Sequence, residues 1–300
     1  MLFNIKADSG AEIVGYIVPD DFKRTANLRI VATEGEIGVF PCNEERQSLV
    51  AAGRHETGMC GFRIGDSHVP GLAARTDLSI YDVETGLLVY RRRDPSRTCN
   101  FKMFRLETHL FPLWRLDDTV DPVFQCFQKG VERHGRETSI QAFLVTHTQS
   151  LYLSGRVVFK HYEPIVEDVY KSITILHEPY VELAERLLTL RHVRNFGEEF
   201  LGARDLMTYA PAIDFARALE PSHASLRRAF ASISKPTIAV LTDPVTRQLT
   251  AASMEEPAPK GGVARALQSL SRFAVVGVRE REDLFRETLE ATLGMPAGML

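Results

Sequence analysis

The sequence predicts an α/β protein with an N-terminal all-β domain: a β-sandwich followed by a mostly parallel sheet covered by helices on both faces. Residues 1–95 hold short alternating or β-branched segments separated by turn residues, with almost no helical periodicity. Beyond residue 98, nearly uniformly apolar segments alternate with helical patterns, as expected of parallel strands and crossover helices. The charged stretch 91–97 separates these parts, so we predict a β-sandwich accessory domain at 1–95 and an α/β domain at 98–300.

In the N-terminal part, turn residues such as Pro19 to Asp21 and Glu84 to Gly86 separate the predicted strands. One stretch, Glu44–Ala52, predicts a short helix. The strands predicted here are Ile13–Val18, Leu28–Ala32, Glu36–Phe40, Gly61–Ile64, Leu78–Asp82 and Leu87–Arg91.

In the C-terminal part, apolar residues at helical spacing predict helices over 120–131, 181–188 and 284–293, the last of them ending at Gly294. A helical region is also predicted from 188 to about 231, with interruptions at Pro211 and Pro221. Two junctions share an acid–Pro pattern, in which Glu178 or Asp243 caps a helix and Pro179 or Pro244 opens it. The strands predicted here are Phe101–Glu107, Ile140–Thr146, Ser172–Leu176, Thr237–Leu241 and Phe273–Val278.

Charge and targeting patterns narrow the function classes. The chain has 36 basic and 39 acidic residues, a net charge of -3, which argues against non-specific nucleic-acid binding as its main activity. The first residues lack the basic and apolar regions of a signal peptide, and no stretch is long and apolar enough to span a membrane. The four cysteines are widely spaced, as is typical of reduced thiols. We therefore predict a cytoplasmic protein.

Several familiar motifs are absent from the sequence. It contains no phosphate-binding P-loop motif, no G-x-G-x-x-G after a strand, and no G-x-S-x-G nucleophile motif. It also lacks H-E-x-x-H and paired C-x-x-C spacings, so no metal site is predicted. The acidic pair at 117 and 118 is the nearest match to a glycosyltransferase D-x-D motif, and a helix entry explains it better.

Polar residues at two strand ends are candidate functional groups. Glu107 and His109 end the strand that begins at Phe101, where α/β enzymes place catalytic groups, and either can act as a general base for a hydroxyl. Ser150 lies in the polar segment after the strand ending at Thr146, and Arg156 follows closely. Hydroxyls, amides and a guanidinium in this segment suit an anion.

Segments in both parts resemble known families. Residues 14–20 (VGYIVPD), 28–31 (LRIV) and 61–64 (GFRI) resemble accessory β-sandwich domains of bacterial polysaccharide glycosyltransferases. Residues 238–250 (IAVLTDPVTRQLT) resemble the L-R-D-P-V-x-R-x-L-S segment of bacterial carbohydrate sulfotransferases. Residues 272–283 (RFAVVGVRERED) resemble a late strand-to-helix segment of that family, and residues 152–159 and 173–179 resemble two of its earlier strands.

The second resemblance implies an enzyme of bacterial polysaccharide or exopolysaccharide metabolism. It would transfer a sulfonate from 3′-phosphoadenosine-5′-phosphosulfate to a sugar hydroxyl of a glycan acceptor, with Arg247 and Thr250 near the 3′-phosphate. The family's lysine-containing loop, P-K-[ST]-G-[ST]-[ST], is missing where it would follow the first strand, near Glu107. The sequence thus leaves two functions open: a sulfotransferase-like enzyme, or a non-catalytic glycan-binding or regulatory protein with that fold.

Overall fold

The N-terminal region forms two antiparallel four-stranded sheets in a β-sandwich-like arrangement. A computed structural model describes residues 1–196 and 201–300 of the chain. The strands are β1 Leu2–Asp8, β2 Ile13–Val18, β3 Asn27–Ala32, β4 Gly35–Pro41, β5 Glu44–Glu45, β6 Met59–Ile64, β7 Leu78–Asp82 and β8 Leu88–Arg92, in the orders β1-β2-β6-β5 and β4-β3-β7-β8. Buried and half-exposed side chains alternate along β7, so that one face of this strand enters the core. Leu78, Ile80 and Asp82 are buried, and the residues between them are half-exposed.

All six strands predicted in this region are present, with ends shifted by at most two residues. The sequence patterns did not identify β1 and β5. The predicted helix over Glu44–Ala52 is shorter, because Glu44–Glu45 pairs with β6 and only Gln47–Ala51 is helical, as α1.

The C-terminal region contains a five-stranded sheet with helices, which confirms the predicted α/β class. Its strands, in the order β10-β11-β9-β12-β13, are β9 Lys102–Leu106, β10 Cys126–Gln128, β11 Leu151–Gly155, β12 Tyr170–Leu176 and β13 Val275–Val278. The outer pairs, β10 with β11 and β12 with β13, are parallel. The carboxyl ends of parallel strands meet at one edge of a sheet, so residues just after these strands share an edge.

Helices account for most of the remaining C-terminal region. They are α2 Trp114–Val120, α3 Arg136–Phe143, α4 Glu163–Val166, α5 Pro179–Arg191, α6 Val193–Phe196, α7 Ala203–Ala218, α8 His223–Ala231, α9 Lys235–Leu241, α10 Pro244–Thr250, α11 Gly262–Leu270 and α12 Glu282–Leu293. Glu178 caps α5 by accepting from the amides of Tyr180 and Val181, as predicted. Gly294 ends α12 with φ 68°, also as predicted. No helix in the described ranges is both long and apolar enough to cross a membrane.

Three predicted elements are wrong in type. The segment predicted as a strand from Thr237 is helix α9, because the Ser234 hydroxyl caps the Thr237 amide and Pro236 favours a first helical turn. The strand predicted from Ile140 is largely α3, since a short apolar run does not distinguish a strand from a buried helix. The helix predicted over 120–131 contains β10, which pairs with β11.

Two further helical details differ from expectation. Asp243 does not cap α10: its φ is 47° and its side chain accepts no capping hydrogen bond. Pro211 lies inside α7 rather than interrupting the helical region, whereas Pro221 does separate α7 from α8. Of that predicted helical region, residues 197–200 lie outside the described residues.

The described chain forms two compact units. The first comprises Met1–Lys102, Val120–Gln128 and His134–Leu153, and the second comprises Met103–Thr119, Lys129–Arg133 and Ser154–Leu300. The predicted division at 1–95 and 98–300 into independently folding domains stays a prediction. A buried apolar cluster in the second unit includes Leu110, Leu190, Ile213 and Leu241, so the segment after β9 is anchored in a core.

Candidate acid–base site

Charged and polar side chains continue β9 of the second unit beyond its last residue. Glu107 and His109 are 1% and 4% exposed, although both are polar. Between them, the Thr108 hydroxyl donates to the carbonyl of Ile175 in β12 at 2.8 Å. From α10, the Gln248 amide donates to the carbonyl of Glu107 at 2.7 Å. These bonds fix the backbone on which the two predicted catalytic residues lie.

The carboxylate of Glu107 accepts three hydrogen bonds and forms an ion pair with one guanidinium group. Its Oε1 accepts from the backbone amide of His109 at 3.0 Å and from the ring Nδ1 of His109 at 2.9 Å. Its Oε2 lies 2.7 Å from the amide of Leu113 and 2.9 Å from Nη2 of Arg105. Each oxygen thus faces two donors, which is the environment of an ionised carboxylate.

Arg105 connects Glu107 to a second buried carboxylate. Its Nε and Nη2 donate to the two oxygens of Asp117 at 2.7 and 2.8 Å, and the Ser154 hydroxyl donates to the same carboxylate at 2.7 Å. Burial alone raises the pKa of Glu107, but the charge of Arg105 and the hydrogen bonds from His109 and Leu113 outweigh it, so the pKa lies well below its ordinary value. Glu107 is therefore ionised at neutral pH.

The ionised state of Glu107 determines which nitrogen of His109 carries the proton. A carboxylate can only accept, so Nδ1 of His109 is the donor in their hydrogen bond. In the neutral imidazole, Nε2 is then an unprotonated acceptor. Nε2 is buried and has no hydrogen-bond partner among the residues that the structure describes. His109 thus has the geometry of an oriented base.

A second histidine lies against His109. His177 directly follows β12, its side chain is 6% exposed, and its ring centroid lies 5.1 Å from that of His109 in an edge-to-face arrangement. Its Nε2 is 3.4 Å from Glu185, and its Nδ1 is 3.7 Å from Glu280, the second residue after β13. The segments after β9, β12 and β13 thus bring the two histidines and Glu280 together at one edge of the sheet, and α5 adds Glu185.

Arg156, predicted to bind an anion, is engaged within the protein. It is buried at the end of β11, where Nη2 donates to Asp205 at 2.7 Å and Nη1 donates to the carbonyl of Leu110 at 3.2 Å. Burial lowers its pKa, but the charges of Asp205 and Glu132 outweigh burial and raise it. Arg156 therefore supports the chain immediately after His109.

Ser150 belongs to the first unit and is also buried. Its hydroxyl accepts from the backbone amide of Gln125 at 2.9 Å, and its own amide donates to the hydroxyl of Thr148 at 2.9 Å. Ser150 thus links the start of β11 to the residue that precedes β10, and its hydroxyl is engaged within the protein.

Arg247 and Thr250, assigned by resemblance to the nucleotide 3′-phosphate, are buried in α10. The two terminal guanidinium nitrogens of Arg247 donate to the carbonyls of Ala239 and Val240 near the end of α9. The Thr250 hydroxyl donates to the carbonyl of Thr246 at 2.6 Å. Both side chains thus satisfy carbonyls of α9 and α10, and as arranged they do not fit a nucleotide phosphate.

We expect Arg247→Ala to lower the free energy of unfolding by about 1 to 3 kcal/mol, because two carbonyls near the end of α9 lose their donors. Urea denaturation measures this loss. The matched control is Arg265→Ala, since Arg265 is exposed on α11 and donates to a single carbonyl, that of Lys260. Unchanged stability with a weakened affinity for adenosine 3′,5′-bisphosphate would instead support the phosphate-binding role.

A cavity of about 730 Å³ lies in the same unit. Its walls come from the segment after β9, from Ile175 of β12 and from the region after β13. The lining residues are Phe111, Pro112, Leu113, Trp114, Arg115, Leu116, Ile175, Arg279, Glu282, Phe285 and Arg286. The cavity is thus lined mainly by the segment that follows His109 and by residues on either side of Glu280.

Sequence reasoning missed several residues of this arrangement. Arg105 lies among the apolar residues Met103, Phe104 and Leu106, and a charge with such neighbours indicates a buried partner. The sequence pattern assigns Asp117 to a helix entry and assigns no role to His177. Their partners lie on other strands and helices, so no local pattern reveals them.

In the described ranges, no group of three or more His, Cys, Asp or Glu side chains can hold a metal ion.

In comparisons with known proteins, the chain matches no family model, no curated protein and no solved structure.

Proposed function

We propose that this protein is an enzyme in which His109 acts as a general base toward a hydroxyl group of its substrate. One observation carries the proposal: Glu107, ionised and buried, holds Nδ1 of His109, while Nε2 is left without a partner at the carboxyl edge of the sheet. The hydroxyl proton passes to Nε2 as the hydroxyl oxygen forms a bond to the electrophilic atom of the transferred group, and the bond from that atom to its leaving group breaks, with the electron pair departing on the leaving group. Glu107 stabilises the imidazolium that forms. Glu107 itself is an orienting residue, because its low pKa makes it a weak base.

The resemblance supports one form of this reaction, the transfer of a sulfonate to a sugar hydroxyl of a bacterial polysaccharide. His109 would supply the base that such a transfer needs at the acceptor. The donor side has less support, since Arg247 and Thr250 bond to helix carbonyls. We therefore derive no step through the phosphosulfate nucleotide.

Nitrogen NMR of histidine-labelled protein tests the proposal without a known substrate. The neutral form of the His109 ring should carry its proton on Nδ1, and its signals are assigned by their loss in His109→Gln. In Glu107→Gln, that preference should weaken, because an amide can also accept from Nδ1 but carries no charge. A ring protonated at Nε2 in the parent would contradict the proposal, since Nε2 would then have no lone pair for the substrate.

Turnover is tested with labelled phosphosulfate donor and a panel of monosaccharides and oligosaccharides. We expect His109→Gln to lower any transfer rate by about 100-fold or more, with little change in melting temperature. His192→Gln is the control, because His192 is an exposed histidine at the end of α5. Equal rates in His109→Gln and the parent would reject His109 as the base.

The alternative, a non-catalytic glycan-binding or regulatory protein, is favoured by the internal bonding of Arg247 and Thr250. It predicts oligosaccharide binding without transfer, and binding that survives His109→Gln. Calorimetry with adenosine 3′,5′-bisphosphate tests whether the protein has a site for the phosphosulfate donor. If no binding is detected at millimolar ligand, the phosphosulfate nucleotide is rejected as the donor.

A further inference from the structure

The arginines of the cavity make its wall positive in a chain whose net charge is -3. Three arginines and one glutamate line it: Arg115, Arg279, Arg286 and Glu282. Glu282 contacts both Arg279, at 3.0 Å, and Arg286, at 2.9 Å, so one carboxylate is shared between two guanidinium groups. The lining therefore carries a net charge of about +2, which matches a dianion.

The same cavity has an aromatic wall. Phe111 is 55% exposed, although it is a large apolar side chain, and Trp114 and Phe285 also line the space. The cations of Arg133 and Lys129 lie 4.8 and 5.5 Å from the centre of the Trp114 ring, which adds positive charge beside it. The cavity thus combines flat apolar surface with an excess of positive charge.

Its position relates the cavity to the acid–base site. Phe111 is two residues beyond His109, and Arg279 precedes Glu280, which lies beside His177. A volume of about 730 Å³ lies within the range of small-molecule sites in proteins.

We propose that this cavity binds a phosphate monoester that carries a flat ring. The arginines hold the dianionic phosphate, since guanidinium groups form paired hydrogen bonds with phosphate oxygens, and the ring packs on Phe111 and Trp114. The proposal rests on the function proposed above in one respect: it makes this ester a substrate or co-substrate of the site that contains His109.

The chain's single tryptophan is Trp114, so tryptophan fluorescence reports on the cavity directly. The probes are phenyl phosphate, inorganic phosphate and phenyl glucoside, which separate the ring from the charge. We expect phenyl phosphate to change the fluorescence and to bind at least about fivefold more tightly than either other probe. Equal affinity for phenyl phosphate and phenyl glucoside would overturn the proposal, since it would show an apolar pocket without phosphate recognition.

Charge-matched variants locate the phosphate. Arg115→Gln and Arg286→Gln should each raise the Kd for phenyl phosphate about tenfold, because each removes a lining charge. Arg281→Gln is the control: it removes the same charge from a side chain that is 62% exposed, pairs with Asp283 and does not line the cavity. Equal effects of all three variants would indicate long-range attraction only and would overturn the site.

The cavity proposal and the proposed role of His109 can be rejected independently of one another. Phenyl phosphate should bind His109→Gln with unchanged affinity, because the cavity is lined by other residues. If phenyl phosphate does not alter Trp114 fluorescence and calorimetry detects no binding, the cavity proposal is rejected, whereas the NMR test of His109 is unaffected. If binding occurs and the His109 ring is protonated at Nε2, the acid–base function is rejected and the binding site stands.

Discussion

Replacing Arg105 by glutamine is expected to lower the free energy of unfolding by about 3 to 5 kcal/mol. Arg105 is 1% exposed and lies between two buried carboxylates, with a forked pair of hydrogen bonds to Asp117 and a 2.9 Å contact with Glu107. Glutamine leaves both carboxylates without their cation. Urea denaturation at neutral pH measures the loss.

Two further variants make this result interpretable. Arg105→Lys keeps the charge but not the planar fork, so it should lose less stability than Arg105→Gln and remain measurable if the glutamine variant does not fold. Arg286→Gln removes an arginine that pairs with Glu282 on the surface of α12, and its effect should be about 0.5 kcal/mol or less. Similar small losses in Arg105→Gln and Arg286→Gln would show that the buried network contributes little.

Replacing Glu107 by glutamine is expected to cost about 2 to 3 kcal/mol and to flatten the dependence of stability on pH. The folded-state pKa of Glu107 is lowered from an ordinary value of 4.5. Its ionisation therefore contributes stability above the unfolded pKa, and this contribution is lost as the pH falls below about 4.5. Parent and variant should therefore approach one another in stability as the solution is acidified.

Denaturation curves from about pH 7 to pH 3 for parent and Glu107→Gln test this directly. Other carboxylates titrate in both proteins, so the difference between the two curves isolates Glu107. Glu185→Gln is a suitable control, since Glu185 lies near His177 but its side chain is 53% exposed. A constant difference between parent and Glu107→Gln over the whole range would contradict a lowered pKa.

The sequence by itself determined the elements whose signals are local. The alternation of Ile13–Val18 and Leu78–Asp82 predicts those strands correctly, because every second side chain must enter the core. Glu178 and Pro179 predict the start of α5 because capping requires only neighbouring residues. For the same reason Glu107 and His109 could be proposed as a pair, since they are two residues apart at the end of one strand.

Only the tertiary structure decided what those residues contact. His177, Asp117 and Ser154 reach the site from other strands and from α2, and their sequence separation from His109 hides that proximity. Arg247 illustrates the converse: its sequence neighbourhood suggests an exposed phosphate ligand, whereas in the fold it is buried and donates to two carbonyls of α9. A local pattern specifies φ, ψ and burial periodicity, but the partner of a buried charge depends on which elements become neighbours in the fold.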